Sequence, residues 1–266
     1  MTGFALALRT VPALAGPINT DVALTPPTGG SLLRLQFSYT EFRPRDAVRA
    51  AHLSTISGTY VYGATKDVAL FLRAPYAHRD THVVNPRLGR VEVTDSGVPD
   101  LTVMAKYRFW QRDTRPGETY RWAALGGLDL RSGDSAFSSD SYDPIVGTVF
   151  TWQRDRGVFG ADLVYQLNTG GGASRHDTLR YDVAYSFRLF PTVYEMKTAW
   201  ELDAVAELNG RYDTDGSHEV FLAPGLQLIG ERWTVETSIQ LPVIQELGTD
   251  RAETDYRVVF GLRLRW

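Results

Sequence analysis

The chain contains no cysteine. That removes a disulfide framework, a thiolate metal site and a cysteine nucleophile together. It also lacks any apolar run approaching the ~20 residues that a membrane-crossing helix needs. A basic excess is missing too. Lys and Arg number 28 against 31 Asp and Glu, a net charge of -3, so no broad positive field marks nucleic acid as a partner. Aromatic residues and glycine are plentiful instead, with 13 Tyr, 6 Trp and 24 Gly. Mean hydropathy is nevertheless only -0.21. Alternating apolar and polar residues produce that combination, because each such segment averages to near neutrality.

The alternation is plain in the last segment. Tyr256, Val258, Phe260, Leu262, Leu264 and Trp266 share one parity, and Arg257, Val259, Gly261, Arg263 and Arg265 the other. Successive side chains of a strand point to opposite faces, so one face is apolar and the other largely cationic. Seven more segments repeat the pattern. Leu33–Thr40 carries Arg34 on its polar parity, and 101–110 carries Lys106, Arg108 and Trp110. Tyr120–Leu130 carries Arg121 and Asp129, and Phe159–Leu167 carries Asp162. Leu179–Leu189 carries Arg180, Asp182 and Arg188. Trp200–Asn209 carries Glu201, Asp203 and Glu207, and Trp233–Val243 carries Glu236. Four weaker strands are read at His52–Gly63, Asp67–Tyr76, Pro144–Arg154 and Glu219–Ile229, which brings the total to about twelve.

A soluble β-sandwich also alternates. Here the strands reach ~10–12 residues, as a tilted membrane strand requires and most soluble strands do not. Tyr, Phe and Trp cluster at strand ends, as an aromatic girdle demands, and the charges of the clear strands keep to one parity. The expected fold is therefore all-β, a transmembrane antiparallel up-and-down β-barrel over residues 31–266. It would be closed because an open edge in hydrocarbon leaves backbone groups unpaired.

Connections alternate long and short, with long loops expected around His78–Val98, Ser132–Asp143, Thr169–Asp177 and Gly248–Thr254. Gln111–Glu118 and Pro191–Lys197 read as moderately long periplasmic turns. An even strand count puts both termini in the periplasm. Residues 1–15, with the apolar Phe4–Leu8 and small residues before Gly16, read as a truncated export signal, and 16–30 as a periplasmic leader. The expected location is the bacterial outer membrane, with its lipid as the surrounding partner.

The chain also resembles a known family. The carrying pieces are Ala105–Phe109, Leu179–Asp182, Leu222–Gln227, Gln240–Val243 and Thr254–Val258, in order over roughly residues 60–266. They are similar to the outer-membrane family named for the meta-pathway of phenol degradation. Where that family tends to show Leu-Pro-Ser/Thr-Gly, this chain has Leu130-Arg131-Ser132-Gly133. The resemblance implies transport of small, in part aromatic, molecules and supplies no catalytic residue. The end of the chain, with Phe260, Leu262, Leu264 and a terminal Trp266, resembles the signal read by the barrel assembly machinery.

The polar-parity residues Arg34, Lys106, Arg108, Arg121, Asp129, Asp162, Arg180, Asp182, Arg188, Glu201, Asp203, Glu207, Glu236, Arg257 and Arg263 are expected to line the lumen. Counting outward from Pro191 places Arg188 near Glu201 and Arg180 near Glu207. Two readings stay open: a charged pore for small solutes, or a salt-bridged plug in a non-transporting barrel. A lipid hydrolase would need an exposed Ser and His at one depth, and no strand presents both. Ser174, His176 and Asp177 share a Gly-rich loop, and His78 and His82 flank Asp80. Both groups read as solvated loop, so no enzyme, metal or cofactor is expected.

Overall fold

A computed structural model describes residues 16–44, 48–85, 89–170, 176–193, 199–248 and 251–266. The strands are β1 (Ser31–Phe42), β2 (Val48–Gly63), β3 (Val68–Asn85), β4 (Gly89–Gly97), β5 (Thr102–Arg115), β6 (Glu118–Asp129) and β7 (Asp143–Arg154). They continue as β8 (Gly157–Gln166), β9 (Thr178–Phe190), β10 (Trp200–Asp213), β11 (His218–Gly230), β12 (Trp233–Glu246) and β13 (Thr254–Arg265).

All pairings are antiparallel, and β2 pairs with β3 while β13 pairs with β1, so the sheet closes on itself. Strands β4 and β5 follow one another along β3. β4 pairs from Ala77↔Gly97 to Asn85↔Gly89, and β5 from Val68↔Tyr107 to Arg73↔Thr102. They share one place in the wall, and the barrel has twelve strand positions.

The alternation sorts as the sequence requires. Leu35, Phe37, Ile56, Leu70, Leu72, Val183, Leu208 and Phe260 are exposed on the outside, whereas Lys106, Glu207, Gln227 and Glu236 are almost fully buried inside. Burying an unpaired charge in lipid costs far more than leaving Leu or Phe there, and this fixes the register of every strand.

Four expectations change. Residues 78–85 and 89–97 pair as the two arms of a β-hairpin, not a long loop. Both faces turn polar beyond Tyr76, so the two-sided signal fades although the ladder continues. Asp80 pins this hairpin: its Oδ2 lies 3.0 Å from Nε2 of both His52 and His78, and its Oδ1 accepts Thr94 Oγ1 at 2.7 Å. The link at 111–118 is shorter than expected. β5 runs to Arg115 and turns at Pro116-Gly117, where Gly117 has φ +80°. Proline followed by a left-handed glycine is the signature of a type II turn. A register shift between Arg108 and Trp110 also carries Trp110 to the outer face opposite Trp122. Finally, residues 16–24, expected in a periplasmic leader, lie within the barrel; Ile18 and Ala23 are fully buried there.

Candidate functional site

The lumen holds the ionisable side chains because the outer face excludes them. The segment 16–24, here called the strap, crosses it. Glu207 of β10 accepts the backbone N–H of Asn19 at 2.9 and 3.0 Å and of Thr20 at 3.0 Å. It also accepts the Asn19 side-chain amide at 2.5 Å. Asp162 of β8 accepts the Asp21 N–H at 2.6 Å, and Thr151 of β7 the Ala23 N–H at 2.8 Å.

The strap's oxygens meet the bases. Lys106 Nζ lies 2.7 Å from Asp21 Oδ1 and 2.6 Å from the Val22 carbonyl. Arg263 donates to the Gly16 and Pro17 carbonyls at 3.2 and 2.5 Å, and Arg34 donates to the Ile18 carbonyl. Behind them Glu236 pairs with both Arg34 and Arg263 at 2.7 Å and accepts Gln227 Nε2 at 2.9 Å. A buried carboxylate flanked by two guanidiniums and an amide has its lone pairs satisfied, which is what makes burial tolerable.

Above the strap, toward the long-loop end, lies a cavity of about 660 Å³. Arg34, Lys106, Asp129, Asp162, Arg180, Asp182, Arg257 and Arg263 line it, as do strap residues from Pro17 to Leu24. Asp129 accepts Thr102 Oγ1 and Gln166 Nε2, Asp182 accepts Asn209 Nδ2 at 3.1 Å, and Arg257 donates to Thr40 and Gln240 at 2.9 and 3.0 Å. The walls are not uniformly polar. Leu125, Ile145, Val149 and Val164 form an apolar inner patch with Ala23, and Leu32, Val61 and Phe71 form another.

The other expected residues sit nearer the short-turn end. Arg108 pairs with Asp67 at 2.8 Å, Arg121 reaches Gln153 at 3.5 Å, and Ser186 Oγ donates to Asp203 at 3.1 Å. Arg188 and Glu201 lie 3.9 Å apart, as counted from Pro191. Arg180 and Glu207 do not meet. A shift between Leu202 and Asp203 sets Arg180 opposite Arg211, while Glu207 faces Ala184. Arg73, Arg211, Glu219 and Gln227 escaped the reading. Arg73 sits on the parity opposite Leu70 and Leu72, a usable signal that Ala69 and Phe71 on its own face obscured. Phe260, Leu262, Leu264 and Trp266 face outward, and the Trp266 ring lies 6.3 Å from that of Tyr60.

A model of the family described as "Putative MetA-pathway of phenol degradation" matches residues 43–243. The chain belongs to that family. The phenol-degradation family match spans the wall from β2 into β12 and leaves out the strap. No curated protein sequence matches the chain. Among solved structures, an outer membrane channel from Pseudomonas putida F1 is similar at 12% identity and a TM-score of 0.60, over 94% of this chain and 100% of that one. The β domain of a Bordetella autotransporter matches at 12% identity and 0.47, over 90% and 100%. Of these, the channel carries the argument, and at that identity it supports the fold. A closed barrel with an oily exterior and an ionised interior places this family member in the bacterial outer membrane.

Proposed function

We propose that the protein is an outer-membrane channel that passes small solutes, aromatic compounds among them. The observation that carries this reading is the 660 Å³ cavity, charged on some walls and apolar on others, on the loop side of the strap. Its size is ample for a small organic solute. The family's link to phenol degradation and the likeness to a Pseudomonas channel support the same reading. In this proposal the inward-facing Arg, Lys, Asp and Glu residues act as pore lining. The outward Phe260, Leu262, Leu264 and Trp266 serve as the assembly signal.

The strap favours a second reading, a barrel filled and closed to solutes. Swelling of liposomes carrying the purified protein separates the two. Charged, neutral polar and aromatic solutes should enter at rates that fall with size and differ with charge. Vesicles that swell no faster than protein-free ones in every solute would establish the filled barrel.

A further inference from the structure

Most lumen charges have partners. Lys106 is bound to Asp21, Arg34 and Arg263 to Glu236, and Arg257 to Thr40 and Gln240. Two bases of the cavity differ. Arg73 projects from β3 into the open cavity and has no hydrogen bond or ion pair among the described residues. Arg180 comes from β9, five steps around the wall, and its Nε is buried without a hydrogen-bond partner. Asp129 stands between their strands: Arg73 pairs with Thr102, whose Oγ1 donates to Asp129, and Asp129 also accepts Nε2 of Gln166, two residues from the Val164 that pairs with Arg180. The acids around them are already engaged, Asp129 with Thr102 and Gln166, Asp182 with Asn209, and Asp162 with the Asp21 N–H. The two guanidiniums hold unfilled planar N–H donors on this cavity. Like charges facing each other across a cavity repel, and an anion between them reverses that cost.

The surroundings restrict the anion. Phe71 lies two residues before Arg73 on the same inner face, packed with Leu32 and Val61. Met104 pairs with Phe71 on the neighbouring strand, and Leu125, Ile145 and Val164 continue the apolar wall around the cavity. Guanidinium geometry suits a carboxylate, which it can bind in two parallel hydrogen bonds. We infer that Arg73 and Arg180 form a carboxylate-binding site in the cavity for small organic acids with an apolar body, such as a one-ring aromatic acid. The inference deepens the channel reading and rests on it for its physiological meaning, although the site can bind whether or not solute passes.

Isothermal titration of the detergent-solubilised protein with benzoate, acetate and benzylammonium chloride at neutral pH tests the site. Benzoate should bind at least about tenfold more tightly than acetate, and benzylammonium should not compete with it. Arg73→Gln with Arg180→Gln should weaken benzoate binding by about tenfold or more, the loss expected for a charge-assisted pair. Heat-modifiable gel mobility should show that the variant barrel remains folded, and Arg73→Lys should retain part of the binding. Equal affinity for acetate and benzoate would overturn the apolar half of the inference. Undiminished benzoate binding in the double variant would overturn the site itself. Planar-bilayer recordings on the same proteins keep the two claims apart. Benzoate bound without any conductance would sink the channel and leave the site. Conductance with no benzoate block, and no binding, would do the reverse.

Discussion

Removing the carboxylate of Glu207 should free the strap. That group accepts two backbone N–H groups and one side-chain amide of the strap, at 2.5 to 3.0 Å. Hydrogen bonds to a charged group contribute ~1.5–3 kcal/mol each, and those sharing one carboxylate are not additive. Once the strap leaves, its donors can reach water, so the full cost of orphaned donors is not incurred. For Glu207→Ala we expect the seated strap to lose ~3–5 kcal/mol, a factor of roughly 10² to 10⁴ in the seated-to-unseated ratio. The remaining contacts from Lys106, Arg263, Arg34 and Thr151 should keep it seated most of the time. Single-channel recordings should therefore show the intact protein in a low-conductance level and Glu207→Ala visiting a larger one. A variant lacking residues 16–24 should hold the larger level throughout. Glu207→Gln keeps the shape but turns one acceptor into a donor, and should fall between. Cold gel mobility would confirm that each barrel is folded. If the deletion variant conducts like the intact protein, the strap does not obstruct the path and the reasoning fails.

Three further outcomes follow from the same geometry. A Cβ on Gly225 would lie 2.5 Å from Ile18 Cδ1 and 2.7 Å from the Thr237 carbonyl, so Gly225→Ala should cost ~1–3 kcal/mol of overpacking. Adding Ile18→Ala should recover part of that loss in denaturant titrations, and no recovery would detach Ile18 from the site. Val183→Arg, on the lipid face near the middle of β9, should cost ~2–4 kcal/mol in vesicle-reconstituted unfolding, and an unchanged midpoint would contradict a lipid-facing Val183. In the link between β4 and β5, burial alone would raise the Asp100 carboxyl, but the N–H groups of Ser139, Gly133 and Ser132 and the Ser138 hydroxyl, all from the loop after β6, outweigh it and hold it below its ordinary value. Such a group stabilises fully above its unfolded-chain value and stops doing so as pH falls through the folded one. Amide protection at Gly133 and Ser139 should therefore be intact at neutral pH and fade below about pH 4; protection indifferent to pH would refute the role of Asp100.

The wall was legible because lipid imposes a single rule on every strand. Any residue of the wrong polarity on the outer parity is costly, so the rule is written along β13 and most of β1 and β9. It weakened where the rule no longer applies. Beyond Tyr76 the hairpin leaves the membrane, and polar side chains appear on both faces. At Trp110 one extra residue moves the parity, and no local composition marks the bulge. Among the inward charges, direction was readable and partnership was not. The ion pair of Arg188 and Glu201 sits beside the connection from which strands can be counted, whereas the count to Arg180 passes a bulge at Leu202. The strap had no periodic signal, since an extended segment surrounded by polar walls needs no alternation of its own.

The same register explains why the lumen calls for a strap. Across β8 and β9 Asp162 faces Asp182, and across β9 and β10 Arg180 faces Arg211. Like charges directly opposed cannot satisfy one another, and Glu207 faces only Ala184 and Ala223. The wall cannot turn these groups outward, because their exposure to lipid would cost more than their confinement within. A length of extended main chain resolves both signs at once, since it offers N–H groups to Glu207 and Asp162 and carbonyls to Lys106, Arg34 and Arg263. Neither Arg73 nor Arg180 has a hydrogen bond to the strap among the described residues. Charge that the wall forces inward and the strap leaves unanswered is then available to a solute, and the proposed carboxylate site draws on the donors of Arg73 and Arg180 in this way.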